Sequence, residues 1–255
     1  MKINEIDYYE EIFILSGGKT GSKTLEESFK KLFAPVPGNI PYYPHITHMH
    51  KVKHNPRLFQ SISEGKRILI VNSYRLPFSR HVSSFFQNLK KHMNQPRIMD
   101  IRKKTKDESF QDYSYILVKD VMDEYMNKGD FFASNHSFLD DLPFPLPEFN
   151  KKARFTFGKR IHGLPIDVLM LRYDALHEWE SQIQTIFPAF VLVPHNVTSL
   201  KPYAGLYESF RQNYVFPETA QIRLWELEKP RIEFYYTEEE IQILMLGMLG
   251  LVGLI

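Results

Sequence analysis

The sequence predicts an α/β fold, three layers deep, with a mostly parallel central sheet flanked by helices. Short continuous apolar runs recur at Ile12–Leu15, Ile68–Val71 and Val168–Leu171, as expected of strands buried on both faces. Stretches of helical periodicity separate them, and that alternation builds parallel sheets. The 255 residues are 43% hydrophobic and 24% charged, an ordinary globular balance able to bury a core.

The first apolar run leads into a Gly-rich turn, Ser16 to Thr20, and then a helix over Lys23–Phe33 with Leu25, Phe29, Leu32 and Phe33 on one stripe. Pro35 and Pro37 stop that helix. His45–Met49 is a second strand, and Arg57–Ile62 a short helix. After the strand Ile68–Val71, Pro77 opens a helix to Leu89, where its missing N–H costs nothing. Asp107–Asn127 is a long polar helical stretch. Asp130–Asn150, rich in Pro, Phe and Asp, is expected to be an ordered surface loop near the site. Phe155–Tyr173 forms two strands joined by a turn at His162-Gly163. Asp174–Phe187 is a helix, Phe190–Val193 a last strand and Tyr203–Gln212 a helix. Thr237 and Glu240 make a capping box for the final helix. With no internal repeat and no long linker, residues 1–255 are expected to form one domain.

The chain has no Cys, which suits a reducing compartment. Its net charge is +2, so no global electrostatic argument for nucleic acid or a membrane surface stands, and any anion site must be local. The stretch Met1–Asp7 carries two acids and no apolar run, so neither a signal peptide nor an anchor is expected, and the location expected is cytoplasmic. Ile241–Ile255 is almost wholly apolar but shorter than the roughly 20 residues a spanning helix needs. It reads as a buried terminal helix or, alternatively, a membrane-docking tail.

Two segments carry chemistry. Ser16–Leu25 follows a strand and opens a helix, where unpaired N–H groups and the positive end of the dipole favour anions. Glycines allow close approach, and Lys19, Ser22, Lys23 and Thr24 add charge and hydroxyls, which together suit a phosphate cradle. The same residues also fit a plain βα turn with solvated lysines. A Walker A reading requires G-x-x-x-x-G-K-[ST], whereas Gly17–Thr24 has Ser22 in place of the second Gly. In the second segment, Arg75 ends a strand and Ser83 lies on the next helix, a guanidinium and a hydroxyl able to grip one anion. Between these segments His45, His48, His50 and His54 crowd ten residues. His48 and His50 share a face of a strand, and either suits a general base. A metal site is the alternative, although the spacing and the lack of Cys do not complete a zinc set.

Together these residues resemble the sulfotransferase superfamily that uses 3′-phosphoadenosine 5′-phosphosulfate (PAPS). Lys19-Thr20-Gly21-Ser22 is similar to its 5′-phosphosulfate motif, with Lys23 where a second hydroxyl is usual and Thr24 following. Arg75, Pro77 and Ser83 match the spacing of its 3′-phosphate motif. His48-Met49-His50 resembles the segment carrying the base in uronyl 2-O-sulfotransferases. Ile166–Leu176, Tyr203–Phe210 and Phe234–Glu239 resemble bacterial capsular polysaccharide synthesis proteins of the sulfotransferase-like type, up to about Glu240. The apolar tail departs from that pattern.

The resemblance implies a P-loop-like sulfotransferase architecture and transfer of a sulfuryl group from PAPS to a hydroxyl of a sugar or polysaccharide, without a metal. It implies His50 as general base, with His48 as second choice, and Lys19 at the leaving phosphate beside the N–H groups of Gly21–Lys23. Thr20 and Thr24 join the cradle, and Arg75, Ser83 and Lys201 meet the 3′-phosphate. Two other function classes remain open: a P-loop kinase or NTPase, and an inactive nucleotide- or glycan-binding protein.

Overall fold

The computed structural model describes residues 9–16, 19–34, 44–49, 55–94, 115–127, 142–195 and 203–248. The chain packs as two compact units: Met1–Arg75 with His136–Asn196, and Leu76–Asn135 with Val197–Ile255.

The first unit holds a five-stranded sheet in the order β2-β1-β3-β5-β4. Its strands are β1 (Glu11–Ser16), β2 (His45–Met49), β3 (Ile68–Tyr74), β4 (Phe155–Gly158) and β5 (Ile166–Arg172). β1 runs parallel to both β2 and β3, β3 runs parallel to β5, and β4 alone is antiparallel. The helices, in chain order, are α1 (Ser22–Leu32), α2 (Pro56–Ser63), α3 (Pro77–Gln87), α4 (Leu89–Met93), α5 (Tyr115–Asn127), α6 (Trp179–Gln184), α7 (Ala204–Asn213), α8 (Glu218–Tyr235) and α9 (Glu238–Met248).

All seven residues of β3 and of β5 are buried, which explains their continuous apolar runs. Alternate residues serve opposite faces. Ile12, Ile14, Leu69, Val71, Leu169 and Leu171 pack with Leu25 and Phe29 of α1 and with Trp179 and Ile183 of α6. On the other face Phe13, Leu15, Ile70, Val168 and Met170 are equally shut from water, so both sides of the sheet are covered. β1 connects first to β2 on one flank and the chain then crosses to β3 on the other. Right-handed crossovers therefore put α1 and α2 on opposite faces. In open α/β sheets the place where strand order reverses, here the carboxyl ends of β1 and β3, is where ligands bind.

The amino ends of the strands are held by buried acids. Asp167, fully buried at the start of β5, accepts from Tyr9 Oη at 2.5 Å, Arg67 Nη1 at 2.9 Å and the Arg160 N–H at 2.8 Å. Glu11, buried in β1, takes the Arg57 guanidinium through Nη2 at 2.8 Å and Nε at 3.1 Å.

The second unit is helical among its described residues. Its core joins Phe78, Phe85 and Phe86 of α3, Val118 and Met122 of α5, Phe210 of α7 and Leu224 of α8. Glu228 of α8 is buried and bridges Arg80 at 3.3 Å and Arg231 at 3.1 Å. Burial, and then the neighbouring Arg80 charge, hold the His81 imidazole well below its ordinary pKa.

Several expectations need correction. Phe190–Val193 is not a strand. Its backbone goes elsewhere: Leu192 N–H donates to Glu180 Oε2 at 2.8 Å, Val193 N–H to Ser28 Oγ at 2.8 Å, and Gln184 Nε2 to the Phe190 carbonyl at 2.9 Å. The stretch expected as one helix over Asp174–Phe187 is a 3-10 turn, Tyr173–Glu178, kinked at Ala175 before α6. The helix opened by Pro77 ends at Gln87, and α4 continues separately. Within Asp107–Asn127 the described helix begins at Tyr115, and of Asp130–Asn150 only residues 142–150 are described. The capping box is formed: Thr237 N–H donates to Glu240 Oε2 at 2.9 Å and Glu240 N–H to Thr237 Oγ1 at 3.3 Å. No described helix is long and apolar enough to cross a membrane.

Removing one partner of a buried ion pair leaves the other uncompensated. Asp167→Ala is therefore predicted to cost about 3 to 5 kcal/mol, read as a lowered urea midpoint. A loss within about 0.5 kcal/mol, the range of an inert surface substitution, would remove Asp167 as an anchor of the sheet.

Candidate functional site

In the loop from β1 into α1 the carbonyls of Lys19 and Thr20 are occupied. Ser73 Oγ, near the end of β3, donates to the Thr20 carbonyl at 2.7 Å. Arg75 Nη1, two residues on, donates to the Lys19 carbonyl at 2.9 Å. Asn72 Nδ2 donates to the Leu15 carbonyl at 2.9 Å. Three of the four residues from Asn72 to Arg75, at and just past the end of β3, thus fix the course of the neighbouring chain. Lys19 is held at φ 60 and Gly21 at φ 80, both in the left-handed region.

With the carbonyls so engaged, the start of α1 has neither a side-chain cap nor an acidic residue in its first turn. Helix starts carry unpaired N–H donors and partial positive charge, so an uncapped one lacking acids favours an anion. Thr20 is 1% exposed, and its Oγ1 has no hydrogen-bond partner. A buried hydroxyl left unmatched is costly, and a ligand oxygen would supply what it lacks.

β5 closes the floor. The Arg75 guanidinium lies 4.3 Å over the ring of Tyr173, a cation–π contact. Tyr173 meets Trp179 edge to face at 6.1 Å, and Trp179 Nε1 donates to the Arg172 carbonyl at 2.8 Å. A Cβ on Gly21 would lie 2.9 Å from the Trp179 ring. Gly21 is therefore required both by its φ and by the aromatic wall behind it.

The expected site residues fall out as follows. Lys19, Thr20, Gly21 and Arg75 come together at the carboxyl ends of β1 and β3. Ser22 and Thr24 are buried in the first turn of α1, and Ser28 Oγ donates to the Thr24 carbonyl at 2.7 Å. Lys23 is drawn along the helix to Glu26 at 2.7 Å, which also takes Lys30. Burial raises the Glu26 carboxyl, but the two ammonium groups outweigh it and hold the pKa below the usual value. His48 is half-buried on β2, paired in register with Ile14, and so shares the α1 face of the sheet. Ser83 is half-buried on α3, in the second unit. His50 and Lys201 lie outside the described residues.

Sequence reasoning missed Ser73, Asn72, Tyr173 and Trp179. The one available signal was polarity: Asn72-Ser73 ends a run that is otherwise apolar. Among the described residues no three His, Asp or Glu side chains are grouped to hold a metal ion. No protein-family model matches the sequence, and no curated protein matches it.

Gly21→Ala is predicted to destabilise the first unit by about 1 to 3 kcal/mol, from a Cβ at positive φ pressed on an aromatic ring. In the Gly21→Ala/Trp179→Leu double variant, part of the Gly21 penalty should disappear in a thermal-melt cycle. Strict additivity would show that the indole is not what Gly21 accommodates.

Proposed function

We propose that this chain is a sulfotransferase, moving a sulfuryl group from PAPS to a hydroxyl of a sugar or polysaccharide. The observation that carries the reading is the α1 start. It is uncapped and acid-free, with a buried unmatched hydroxyl at Thr20, in a loop braced from β3 at the point where strand order reverses. Such a place favours the phosphate end of a nucleotide.

In this reading the acceptor hydroxyl loses its proton to His50, with His48 as second choice, as its oxygen forms a bond to sulfur. The bond from sulfur to the bridging phosphate oxygen breaks, and charge gathers on that oxygen. Lys19 and the N–H groups of Gly21, Ser22 and Lys23 meet that charge. Thr20, Ser22 and Thr24 supply hydroxyls to the same phosphate. Arg75 serves the 3′-phosphate. Arg75 has a double duty here, since its Nη1 also holds the Lys19 carbonyl. Its loss should disturb both ends of the nucleotide.

Lys19→Ala is predicted to lower sulfuryl transfer by about 10²-fold or more, with nucleotide affinity changed far less. The measurement is turnover with PAPS and a panel of sugar acceptors, beside calorimetric titration. Arg75→Ala should weaken binding of adenosine 3′,5′-bisphosphate by about tenfold or more. Arg75→Lys should recover little, because a lysine lacks the planar fork. Wild-type turnover in Lys19→Ala would end the assignment.

A further inference from the structure

Where the chain leaves β3 and β5, register sets two side chains beside each other. Tyr74 lies opposite Arg172 in the parallel ladder, so one step further Arg75 stands beside Tyr173. Alternate residues of a strand serve one face. Leu169 and Leu171 pack on the α1 face, and Tyr173 follows them onto it. Leu69 and Val71 of β3 serve that face too, and Ser73 and Arg75 continue their row. Neighbouring strands run about 5 Å apart, which brings the two side chains together. The Arg75 guanidinium accordingly lies 4.3 Å over the Tyr173 ring.

The same ring reaches the β1–α1 loop. A Cβ on Gly21 would lie 3.4 Å from Tyr173 Cε2. One side chain thus touches both the loop and the residue that braces it, since Arg75 Nη1 donates to the Lys19 carbonyl at 2.9 Å. Arg75 is 8% exposed, and a guanidinium shut from water gains more from an aromatic face than an exposed one does. A leucine could fill the space beside Trp179, but it has no face of negative potential to offer a cation.

The backbone of Tyr173 is clamped by its two neighbours. Arg172, buried at 2% exposure, donates through Nε to Asp174 Oδ1 at 3.1 Å and through Nη2 to Asp174 Oδ2. A bidentate fork of this kind adds geometric definition to strength. Fully buried Trp179 donates from Nε1 to the Arg172 carbonyl at 2.8 Å and meets the Tyr173 ring edge to face at 6.1 Å. With its backbone clamped and one ring edge packed, the Tyr173 side chain has little rotamer freedom left.

We infer that Tyr173 is a positioning residue for Arg75. Stacking uses a face of the guanidinium, whereas its N–H groups lie in the plane. The ring therefore holds the group without consuming a donor. One donor goes to the Lys19 carbonyl, and the others meet the 3′-phosphate in a direction that the ring sets. The inference rests on the nucleotide reading proposed above for what Arg75 grips, and on the contacts of Tyr173 for how Arg75 is held.

Two readouts test these halves separately. The first is exchange of the Arg75 Nε–H with water in the ligand-free protein, followed by nitrogen NMR and assigned by its loss in Arg75→Lys. Tyr173→Leu should speed that exchange several-fold, and Tyr173→Phe should leave it unchanged. The second is calorimetric titration with adenosine 3′,5′-bisphosphate. Tyr173→Leu should weaken binding by about fivefold or more, and Tyr173→Phe by less than about twofold. In Arg75→Ala, adding Tyr173→Leu should cost little further affinity, because the two act as one unit. Phe187→Leu removes another buried aromatic of the same unit. It should lower the melting temperature while leaving affinity and Arg75 exchange as in the wild type. Unchanged Arg75 exchange in Tyr173→Leu would overturn the inference. So would equal losses of affinity in Tyr173→Phe or Phe187→Leu, or strict additivity with Arg75→Ala. A wild type that binds no bisphosphate would end the nucleotide reading and the phosphate half of the inference, and the Arg75 exchange alone would then decide the positioning half.

Discussion

The bonds from Arg75 to the Lys19 carbonyl and from Ser73 to the Thr20 carbonyl organise the candidate site. A loop at a helix start exposes both donors and acceptors, and which set faces a ligand decides the sign of what it binds. Here the Lys19 and Thr20 acceptors are taken by the neighbouring strand end, which leaves the donors at the start of α1 for an anion. The left-handed turns at Lys19 and Gly21 are the local cost of that arrangement. The Tyr173–Trp179 pair behind them limits Gly21 to a residue without a side chain.

The two ends of the sheet divide the labour. At the amino ends, Asp167 and Glu11 are buried and met by Tyr9, Arg67 and Arg57, so these charges are satisfied within the fold. At the carboxyl ends Asn72, Ser73 and Arg75 are bonded to backbone carbonyls, while the buried Thr20 hydroxyl has no partner. A buried hydroxyl without a partner calls for an explanation, and at a helix start a ligand oxygen is one. The unmatched Thr20 hydroxyl beside an uncapped helix start is a stronger pointer than the Gly-rich sequence, which alone suits many βα turns.

Much of the fold was legible because the strands are short, continuous and apolar, and because Pro77 and the Thr237–Glu240 box mark helix starts through local chemistry. Phe190–Val193 failed because an apolar run says nothing about where its backbone hydrogen bonds go, and Glu180, Ser28 and Gln184 take them. Glu218–Tyr235 carries Pro230 inside a helix, which masks the pattern from any reading of punctuation. For the site, Lys19, Thr20 and Gly21 were readable from residue type beside a strand end. Tyr173 and Trp179 were not, since they reach the loop only through the pairing of β3 with β5. Lys23 is paired with Glu26 one turn on, a contact that its residue type beside a Gly-rich turn does not reveal.

The central claim is that the β1–α1 loop and the end of β3 bind a nucleotide with phosphates at both ends of its ribose. The most direct measurement is thermal melting of the purified chain titrated with adenosine 3′,5′-bisphosphate, against ATP with Mg²⁺ and against 5′-AMP. A ligand that binds only the folded state raises the melting temperature, so no acceptor need be known. The account predicts a rise with the bisphosphate that exceeds the rise with 5′-AMP and with ATP–Mg²⁺. A rise with ATP–Mg²⁺ and none with the bisphosphate would contradict it and make the loop that of a kinase or NTPase.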